Sequence, residues 1–555
     1  MKKRHWKILL LLLLSFFVLS ACIPKKEEVS NTDNDSNTDN DSNTENGSDS
    51  NEGTKISVFM PESDEMDLET NSFTLFAEEE FGVDFEFETT SYDGAAAKER
   101  RQITLASGDY PDVYFLIEWV DQFTASDLLK YGKQGVLIPL NDLIKEHAPN
   151  LQAVLDENEE FRKMATAPDG NIYGVPQLEE CFHCTWPNKF WINTDWLEKL
   201  NLEMPKTHEE FKQVLKAIKE QDPNGNGEND EIPLSGSVAN KFNSIVPYLM
   251  NGFIYDDIET RLSINNGKVK FVANTNEWKE GLKYIHSLYK EGLVDPGAFT
   301  QNSDAYEQLG NNPEVILGVG AATHPWEFVG NDNHVKYDAL APLNGPYSQY
   351  SSYYYPVVQG ANFAITNKAS EEAQIKAIKL LDYMFTQEGQ TRSHFGVEGE
   401  DWVKPEEGDV AVNEEVEPIL KQLHPEEPTN NSWGAAAQFY QPREYRDGWV
   451  QSTDIYTDQG YERRLQEATY LYEDLEPENI FPFWAIWYDE ATQSEMATLK
   501  TNIIDYVEQS AVRFITGDLD LEKDWQEYVE GLNSLQVDRY VEINQKAYNS
   551  YLKAE

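Results

Sequence analysis

The chain has 555 residues, 40% of them hydrophobic, and carries 98 acidic against 45 basic residues, a formal net charge of −53 at pH 7. So large a negative charge excludes binding to nucleic acid or to an anionic bilayer through surface charge. The length is sufficient for two or more lobes with large cores, and three cysteines are too few for a disulfide-rich secreted scaffold.

The N-terminus has the pattern of a bacterial export signal. Basic residues at the start precede an apolar run from Ile8 to Leu19, which is too short to cross a bilayer as a stable helix. The run ends in Leu19-Ser20-Ala21-Cys22, a sequence typical of a lipobox. We therefore predict a signal peptide over residues 1–21 and lipid attachment at Cys22, through several acyl chains because one chain binds weakly. The alternatives are an ordinary signal peptide with a chance cysteine and an intact transmembrane anchor.

Residues 22–53 have the composition of a disordered acidic linker. A near-repeat of Ser, Asn, Thr and Asp begins at Ser30, Ser36 and Ser42, and almost no apolar residue interrupts it. Nothing in such a segment offsets the entropy of ordering. As a coil of about 30 residues it would span roughly 30 Å, and charge repulsion would extend it further. Its predicted role is to hold the folded part away from the membrane.

The folded sequence begins at Lys55 with alternating strand and helix patterns. Apolar residues alternate in a strand around Ile56, recur at helical spacing from Phe73, and alternate again from Val83. A helix over 95–106 follows, ended by Gly108, and 112–116 is a buried strand. This β-α-β-α-β order predicts a parallel sheet with right-handed crossovers. Ligands bind such sheets at the carboxyl ends of the strands.

The remainder of the chain continues the α/β pattern and adds helices at its C-terminal end. Strands are predicted at Val315–Val319 and Asn362–Thr366. The predicted helices are Leu197–Leu200, Glu209–Glu220, Asn276–Lys290, Glu371–Thr386, Tyr461–Tyr472, Thr492–Arg513 and Leu521–Ser534.

A run of oxygen-bearing side chains from Asp222 to Glu231 has the spacing of a calcium loop. Oxygen ligands stand at positions 1, 3, 5 and 9, with Gly227 at position 6 to permit the sharp turn. Position 12 is Pro233 where a bidentate glutamate is usual, so Glu231 would have to serve instead. The crowded carboxylates would repel one another without a cation. The alternative is a polar, glycine-rich turn on an acidic protein.

Cys181-Phe-His-Cys184 raises three possibilities. With His183 it has the ligand types of a zinc site, but no second Cys or His pair follows at the spacing of a zinc finger. A redox Cys-x-x-Cys requires a helix N-terminus in a thioredoxin-like unit, which the pattern does not indicate. The simplest interpretation is a local disulfide or two buried thiols.

No catalytic motif was found in the sequence. It contains no Gly-x-Ser-x-Gly elbow, no His-Glu-x-x-His and no phosphate loop. With so many acidic residues, carboxylate pairs at glycosidase spacing arise by chance. A secreted enzyme acting on polysaccharides therefore stays an alternative that rests on composition. A receptor for a peptide or another solute, or a sensory partner of a membrane kinase, is a second alternative.

Four stretches in sequence order resemble the family 1 extracellular solute-binding lipoproteins of bacterial carbohydrate ABC importers, in the Gram-positive branch that is similar to alginate-binding proteins. They extend from the helix end before Asp112 to the C-terminus. The stretches are Leu105 to Val113, Gly170 to Phe211, Leu380 to Gly399, and Phe514 to the end.

The resemblance implies a two-lobed periplasmic-binding-protein-like α/β fold with a ligand cleft between the lobes and extra C-terminal helices. The expected N-lobe is 54–170 plus 358–430, and the expected C-lobe is 171–357 plus 431–555. The implied function is capture of an oligosaccharide at the extracellular face of a Gram-positive cell membrane and delivery to an ABC permease. We expect a lipid-anchored monomer without catalytic residues.

The resemblance also implies site residues. In the alginate-binding relatives the matching loop supplies a structural calcium, and the side chains that match are Asp222, Asn224, Asn226, Asp230 and Glu231, with the carbonyl of Glu228. In maltose-type relatives a tryptophan placed like Trp326 faces the sugar. Sugar rings pack on aromatic side chains and bond to carboxylates and amides. The other expected ligand contacts are Asp112, Trp119, Trp186, Tyr355 and Trp433, chosen for their places in loops or at strand ends.

Overall fold

The computed structural model describes residues 53–330, 333–355, 360–423 and 428–553. The predicted signal peptide, Cys22 and the predicted linker up to residue 52 lie outside the described residues. Within those ranges, no helix combines the length and the apolar character needed to span a bilayer.

The strands are short apart from the first two. In chain order they are β1 (Thr54–Pro61), β2 (Val83–Thr90), β3 (Val113–Phe115), β4 (Phe123–Thr124), β5 (Leu178–Glu179), β6 (Lys189–Asn193), β7 (Ile232–Ser235), β8 (Leu262–Asn265), β9 (Lys268–Phe271), β10 (Leu317–Ala322), β11 (Tyr337–Leu340), β12 (Gly360–Ala361), β13 (Phe363–Ile365), β14 (Trp402–Val403), β15 (Lys421–Gln422) and β16 (Tyr440–Gln441).

Helices make up most of the chain between these strands. They are α1 (Ser72–Phe81), α2 (Gly94–Ser107), α3 (Ala125–Lys133), α4 (Asn141–His147), α5 (Pro149–Glu157), α6 (Glu159–Ala165), α7 (Phe182–Thr185), α8 (Thr194–Leu200), α9 (His208–Glu220), α10 (Ile245–Met250), α11 (Asn276–Lys290), α12 (Ser303–Gly310), α13 (Glu371–Met384), α14 (Gln387–His394), α15 (Arg443–Asp447), α16 (Tyr461–Thr469), α17 (Glu490–Thr516), α18 (Trp525–Ser534) and α19 (Val537–Tyr551). Short 3-10 helices occupy Lys241–Asn243, Pro296–Phe299, Pro325–Glu327, His334–Lys336, Gly434–Ala437 and Asp458–Gly460.

The first sheet has the order β13-β3-β1-β2. β1 is parallel to both β2 and β3, which confirms the parallel arrangement predicted from the β-α-β-α-β pattern. α2 ends as predicted at Gly108, whose φ of 78° lies in the left-handed region that glycine adopts without strain. β13 joins from far along the chain and runs antiparallel to β3. The carboxyl ends of β1, β2 and β3 therefore lie at one edge of this sheet.

The second sheet has the order β11-β6-β10-β7. β10 is parallel to β7 and antiparallel to β6, which also pairs antiparallel with β11. β10 is buried along its whole length, as expected for a strand at the centre of a sheet covered on both faces. Since β7 and β10 run in the same direction, the loops that follow them lie at the same edge.

Two large cores accompany the two sheets, as expected for a two-lobed α/β fold. The C-terminal helices α17, α18 and α19 contribute to the core of the second sheet, which confirms the predicted helical addition. Ile172, Val175, Trp433 and Phe439 belong to the core of the first sheet. They lie a few residues beyond the limits predicted near 170 and 430, so the lobe boundaries themselves stay predictions.

Trp433 is a core residue, and the expectation that it contacts ligand is wrong. Its side chain is 0% exposed. The ring packs edge-on against Phe73 and Phe115 with centroids 5.0 and 5.3 Å apart, and Nε1 donates to Thr74 Oγ1 at 2.8 Å. A ligand could reach this ring only by opening the core beneath the first sheet.

We expect Trp433→Ala to lower the free energy of unfolding by about 3–5 kcal/mol, because it removes a large buried side chain and leaves a cavity. Trp119→Ala is the matched control. Its side chain is 60% exposed, so its truncation should change stability by no more than about 0.5 kcal/mol. Urea denaturation followed by circular dichroism measures both values. Equal losses for the two variants would contradict the assignment of Trp433 to the core.

Candidate functional site

Polar side chains from several loops, helices and the short strand β5 meet in one group, which we call the central cluster. Each member lies within hydrogen-bond, ring-contact or charge-interaction range of another member. The central cluster consists of Glu118, Glu179, His183, Lys241, Tyr354, Arg446 and Glu462.

The central cluster is assembled where strands of the two sheets end. Glu118 follows β3 of the first sheet, and Lys241 follows β7 of the second sheet. Nζ of Lys241 lies 4.7 Å from the centre of the Tyr354 ring, and the neighbouring Phe242 ring lies 5.1 Å from the same ring. The backbone N–H of Tyr354 donates to the Thr185 carbonyl at 2.7 Å. The site therefore lies at carboxyl ends of strands, where α/β sheets bind ligands.

The carboxyl of Glu118 lies in an environment that strongly raises its pKa. Burial and, to a smaller extent, the charge of Glu179 raise the pKa of this carboxyl to about 7, although the charge of Lys241 lowers it. Near neutral pH this carboxyl is present in both protonation states. It can therefore donate a hydrogen bond as well as accept one, which suits a ligand hydroxyl.

Arg446 connects the other carboxylates of the cluster. Its guanidinium lies 2.5 Å from Glu179 and 3.7 Å from Glu462. Burial raises the pKa of Glu462, and Arg446 lowers it. Glu462 in turn lies 3.4 Å from Nδ1 of His183, whose pKa is held well below its usual value by burial and by the charge of Arg446. His183 is therefore a neutral imidazole at physiological pH.

Trp326 lies at the carboxyl end of β10, in the 3-10 helix Pro325–Glu327. Its ring stacks on Tyr461 with centroids 4.2 Å apart and planes 8° from parallel. Nε1 of Trp326 and Nδ1 of the adjacent His324 are buried without a hydrogen-bond partner among the described residues. Such orphaned polar atoms are costly unless a ligand or a water satisfies them. One face of Trp326 is thus covered by Tyr461, and the His334 ring contacts it at a centroid distance of 5.0 Å.

Trp119 is the exposed aromatic residue at the carboxyl end of β3. Its side chain is 60% exposed and touches Tyr92 edge-on with centroids 5.5 Å apart. A large ring with this much exposed surface offers a platform for an apolar ligand surface.

The rings of Trp186 and Tyr355 contact other side chains of the protein. Trp186 is 6% exposed and donates from Nε1 to Glu476 at 3.1 Å. The half-buried Tyr355 ring stacks on Trp484 with centroids 5.2 Å apart and packs on the core of the first sheet. The structure does not bring either ring into the central cluster.

Asp112 lies at the amino end of β3, and the central cluster lies beyond its carboxyl end. The Oδ2 atom of Asp112 accepts hydrogen bonds from the backbone N–H and the hydroxyl of Ser57, both at 2.8 Å. The expectation that Asp112 stands near the cleft is wrong, because this carboxylate instead ties β3 to β1.

Cys181 and Cys184 form a disulfide, one of the simple interpretations of the sequence. The bridge spans α7, beside the central cluster. Nζ of Lys189 donates to the carbonyls of His183 and Trp186 in this segment. Burial lowers the pKa of Lys189 to about 7, against the charge of Glu327.

Sequence reasoning missed most of the central cluster. Lys241, Arg446 and Glu462 stand in no recognisable motif, and their partners are distant in the chain. Glu118 had a usable signal, since it directly follows a predicted buried strand and precedes Trp119. For the others, only the tertiary contacts identify the role.

In the loop from Asp222 to Glu228, side-chain oxygens accept hydrogen bonds from the backbone N–H groups of the same loop. Asp222 adopts a positive φ of 49°, and its two carboxylate oxygens accept from the N–H groups of Gly225 and Gly227 at 2.8 and 3.0 Å. The side-chain oxygen of Asn224 accepts from Asn226 N–H at 3.0 Å, and that of Asn226 accepts from Glu228 N–H at 2.7 Å. Alternate side chains thus turn toward the inside of the loop, as the spacing predicts.

The second half of the loop adds the carboxylates of Asp230 and Glu231, which form no ion pair with a basic side chain in the part of the chain that the structure describes. The amide nitrogens of Asn224 and Asn226 contact Asp230 at 3.1 and 3.2 Å. Rotation of each amide group by 180° would place its oxygen where its nitrogen now lies. Both carboxylate oxygens of Glu231 are buried without a hydrogen-bond partner among the described residues. Burial raises the pKa of Glu231 and the charges of Asp222 and Asp230 add to the rise, while the backbone N–H groups of Glu231 and Asn224 oppose it. These donors fit a hard cation such as calcium.

Comparison with known proteins places the chain among transport receptors. Residues 63–391 match the family described as bacterial extracellular solute-binding protein. The fructooligosaccharide ABC transporter substrate-binding protein FusA of Streptococcus pneumoniae is 30% identical over 493 residues, which cover 85% of this chain and 86% of FusA. Both matches agree with the resemblance seen in the sequence.

Solved structures show the same fold. FusA in complex with kestose is 27% identical, has a TM-score of 0.69, and is matched over 90% of this chain and 100% of its own. An EF-hand mutant of FusA in complex with fructo-nystose gives a TM-score of 0.68 at 27% identity over the same shares of the two chains. An HMO-binding, ABC-transporter-associated solute-binding protein of Bifidobacterium longum infantis has a TM-score of 0.74 at 20% identity, with 90% of this chain and 99% of that chain matched. The alginate-binding protein AlgQ2 without calcium has a TM-score of 0.62 at 22% identity, over 90% and 98% of the two chains.

Glu118 should make stability depend on pH. Folding raises the pKa of this carboxyl from near 4.5 in the unfolded chain to about 7. The contribution of the protonated carboxyl to the stability of the folded state is therefore complete below pH 4.5 and is lost as the pH rises through 7. Glu118→Gln cannot ionise. The variant should therefore gain stability relative to the wild type between about pH 5 and 8, by on the order of 1–3 kcal/mol.

Chemical denaturation at several pH values measures this difference. Glu99→Gln, at an exposed position on α2, is the control and should show no such trend. A difference between Glu118→Gln and wild type that stays constant across this range would contradict the buried, titrating carboxyl.

Proposed function

The chain belongs to the bacterial extracellular solute-binding proteins, and we propose that this member captures an oligosaccharide and delivers it to the permease of an ABC importer. The observation that carries the proposal is the match to FusA over 85% of this chain, a relative whose own ligands include kestose. The central cluster supports it, since it supplies hydrogen-bonding groups for hydroxyls.

The chemistry of the cluster fits a neutral sugar. Vicinal hydroxyls pair with carboxylates and with the guanidinium of Arg446, and the carboxyl of Glu118 can donate as well as accept. Trp119 and Trp326 supply flat apolar surfaces for the C–H faces of sugar rings. Together these groups recognise a chain of several sugar residues better than a small ion.

Closure of the two lobes would complete the site. Glu118 is attached to the first sheet and Lys241 to the second, and both are close to Tyr354. A hinge motion that changes the separation of the sheets therefore changes the geometry of this group directly. The closed, ligand-bound form is the one that the permease would accept.

We expect Trp326→Ala and Trp119→Ala to weaken oligosaccharide binding about tenfold or more each, because they remove stacking and its buried apolar area. The measurement is calorimetric titration with kestose and with a panel of other oligosaccharides, using circular dichroism to verify the fold. Tyr347→Ala removes an aromatic ring that is 62% exposed outside the cluster and serves as control. Unchanged affinity in both tryptophan variants would show that the ligand binds elsewhere.

The same titrations test the function itself. Binding without change to the sugar is expected, and chromatography of the recovered ligand would reveal cleavage products if the protein were an enzyme. Failure of every oligosaccharide to bind or to raise the melting temperature would count against an oligosaccharide receptor.

We further propose that a structural calcium binds the loop through Asp222, Asn224, Asn226, Asp230, Glu231 and the Glu228 carbonyl. The buried, unpartnered carboxylate of Glu231 supports this, and so does the existence of an EF-hand in FusA. Calcium would supply the positive charge that the crowded carboxylates lack.

Removing calcium should lower the melting temperature, because an ion at 100 times its dissociation constant stabilises the folded state by about 2.7 kcal/mol. Asp222→Ala should abolish the response to chelator, whereas Asp64→Ala, at an exposed position away from the loop, should retain it. Differential scanning calorimetry with and without chelator makes the comparison. Protein purified in calcium but free of the metal by elemental analysis would refute the site.

We also propose that Cys22 carries the lipid that holds the mature monomer at the extracellular face of a Gram-positive membrane. The lipobox and the acidic linker support this. Mass spectrometry of membrane-extracted protein should show an acylated N-terminal cysteine, and Cys22→Ala should leave the protein unacylated. A Cys22→Ala protein processed and anchored like wild type would disprove the anchor.

A further inference from the structure

The disulfide segment places three metal-binding atoms together. One ligand atom from each of Cys181, His183 and Cys184 lies within 4.8 Å of the other two. The Nε2 atom of His183 is 3.5 Å from the sulfur of Cys181, so this ring nitrogen faces sulfur. Two thiolates and one imidazole are ligands typical of zinc sites. Reduction of the disulfide would therefore leave its two sulfurs in positions suited to metal ligands.

The second nitrogen of the His183 imidazole, Nδ1, also has the kind of partner that it has in metal sites. Nδ1 of His183 lies 3.4 Å from a carboxylate oxygen of Glu462, which Arg446 holds from 3.7 Å. A histidine that ligates a metal donates its second N–H to a carboxylate in many such sites, which fixes the ring. A disulfide alone has no need of an oriented imidazole. This second contact is independent of the cysteines.

The segment keeps its shape through bonds other than the disulfide. Nζ of Lys189 donates to the carbonyls of His183 and Trp186, and the Thr185 carbonyl accepts from Tyr354 N–H at 2.7 Å. The bridged cysteines are three residues apart. A bridge that closes so short a loop restricts the unfolded chain least, so it adds little to stability. The segment should therefore stay folded when the bridge is reduced.

We propose that the dithiol form of this segment binds a thiophilic divalent cation such as zinc, with Cys181, Cys184 and His183 as ligands and Glu462 orienting the imidazole. A thiol reductant breaks the S–S bond and supplies two electrons and two protons, leaving two thiols while the reductant is oxidised to its own disulfide. Metal binding then releases the two thiol protons. A fourth position on the metal stays open to water. This proposal does not rest on the proposed sugar binding.

The test uses the mature chain with calcium present, reduced with dithiothreitol and freed of it under anaerobic conditions. Titration with cobalt should give a thiolate-to-metal charge-transfer band at one equivalent, and zinc should remove the band. Cys181→Ser with Cys184→Ser should give no band, and His183→Ala should bind weakly. Glu462→Gln should keep the band, alter the ligand-field spectrum, and weaken zinc binding about 10–100-fold. His147→Ala, beside Glu146 but far in sequence from any cysteine, is the matched control and should bind like wild type.

Three results would overturn the proposal. The first is a reduced, folded protein without a sulfur-to-metal band. The second is an oxidised protein that competes for zinc as well as the reduced one, which would place the metal elsewhere. The third is loss of near-ultraviolet circular dichroism on reduction, which would show that no folded dithiol form exists to bind metal.

Discussion

The ion pairs of Arg446 with Glu179 and Glu462 are the interactions on which the site depends. The chain carries more than twice as many acidic as basic residues, so a half-buried group of carboxylates needs a cation placed among them. The side chain of Arg446 is 12% exposed, and its two partners lie on β5 and α16. Removing it would leave uncompensated buried charge, which proteins relieve by protonation or by rearrangement. The positions of Glu462 and of the imidazole it contacts follow from this one guanidinium.

Partial burial gives the acidic residues of the site their recognition properties. In water Glu118 and Glu462 would be ionised and could only accept hydrogen bonds, whereas burial raises the pKa of both. A carboxyl near its pKa presents a donor and an acceptor to a hydroxyl, and it carries less charge to repel the rest of an acidic protein. The same desolvation disfavours a ligand that brings further negative charge. Burial as well as residue type would therefore affect which ligands the candidate site accepts.

The sequence predicted the parts of the fold that depend on local periodicity. The β-α-β-α-β start, the helix stop at Gly108 and α11 at Asn276–Lys290 follow from apolar spacing and capping residues, and the structure contains them. The family resemblance, carried by four separated stretches, predicted the two-lobed arrangement that periodicity could not. Prediction failed where the outcome depends on distant packing. Trp433 stands in a polar, glycine-containing stretch typical of a loop, yet a short 3-10 segment inserts its ring beneath the first sheet.

The same limit explains why site residues were harder to predict than the fold. Asp112 precedes β3 and Trp119 follows it, so Trp119 is the one that lies at the carboxyl edge, whereas the choice of Asp112 followed the family resemblance. Glu179, Arg446 and Glu462 are separated by as many as 283 positions by their residue numbers, so no spacing in the sequence marks them as one group. Charge and aromaticity identify candidates, whereas register and burial select among them.

The candidate calcium loop and the central cluster lie at opposite ends of the same strands. Glu231 directly precedes β7, and Asn226 contacts Glu314, three residues before β10, at 3.1 Å. These two strands are paired in parallel, and the loops after them carry Lys241 and Trp326. A cation bound in the loop would fix the amino ends of both strands together. Since pairing holds the two strands in register, order at those ends would extend to the loops that carry Lys241 and Trp326.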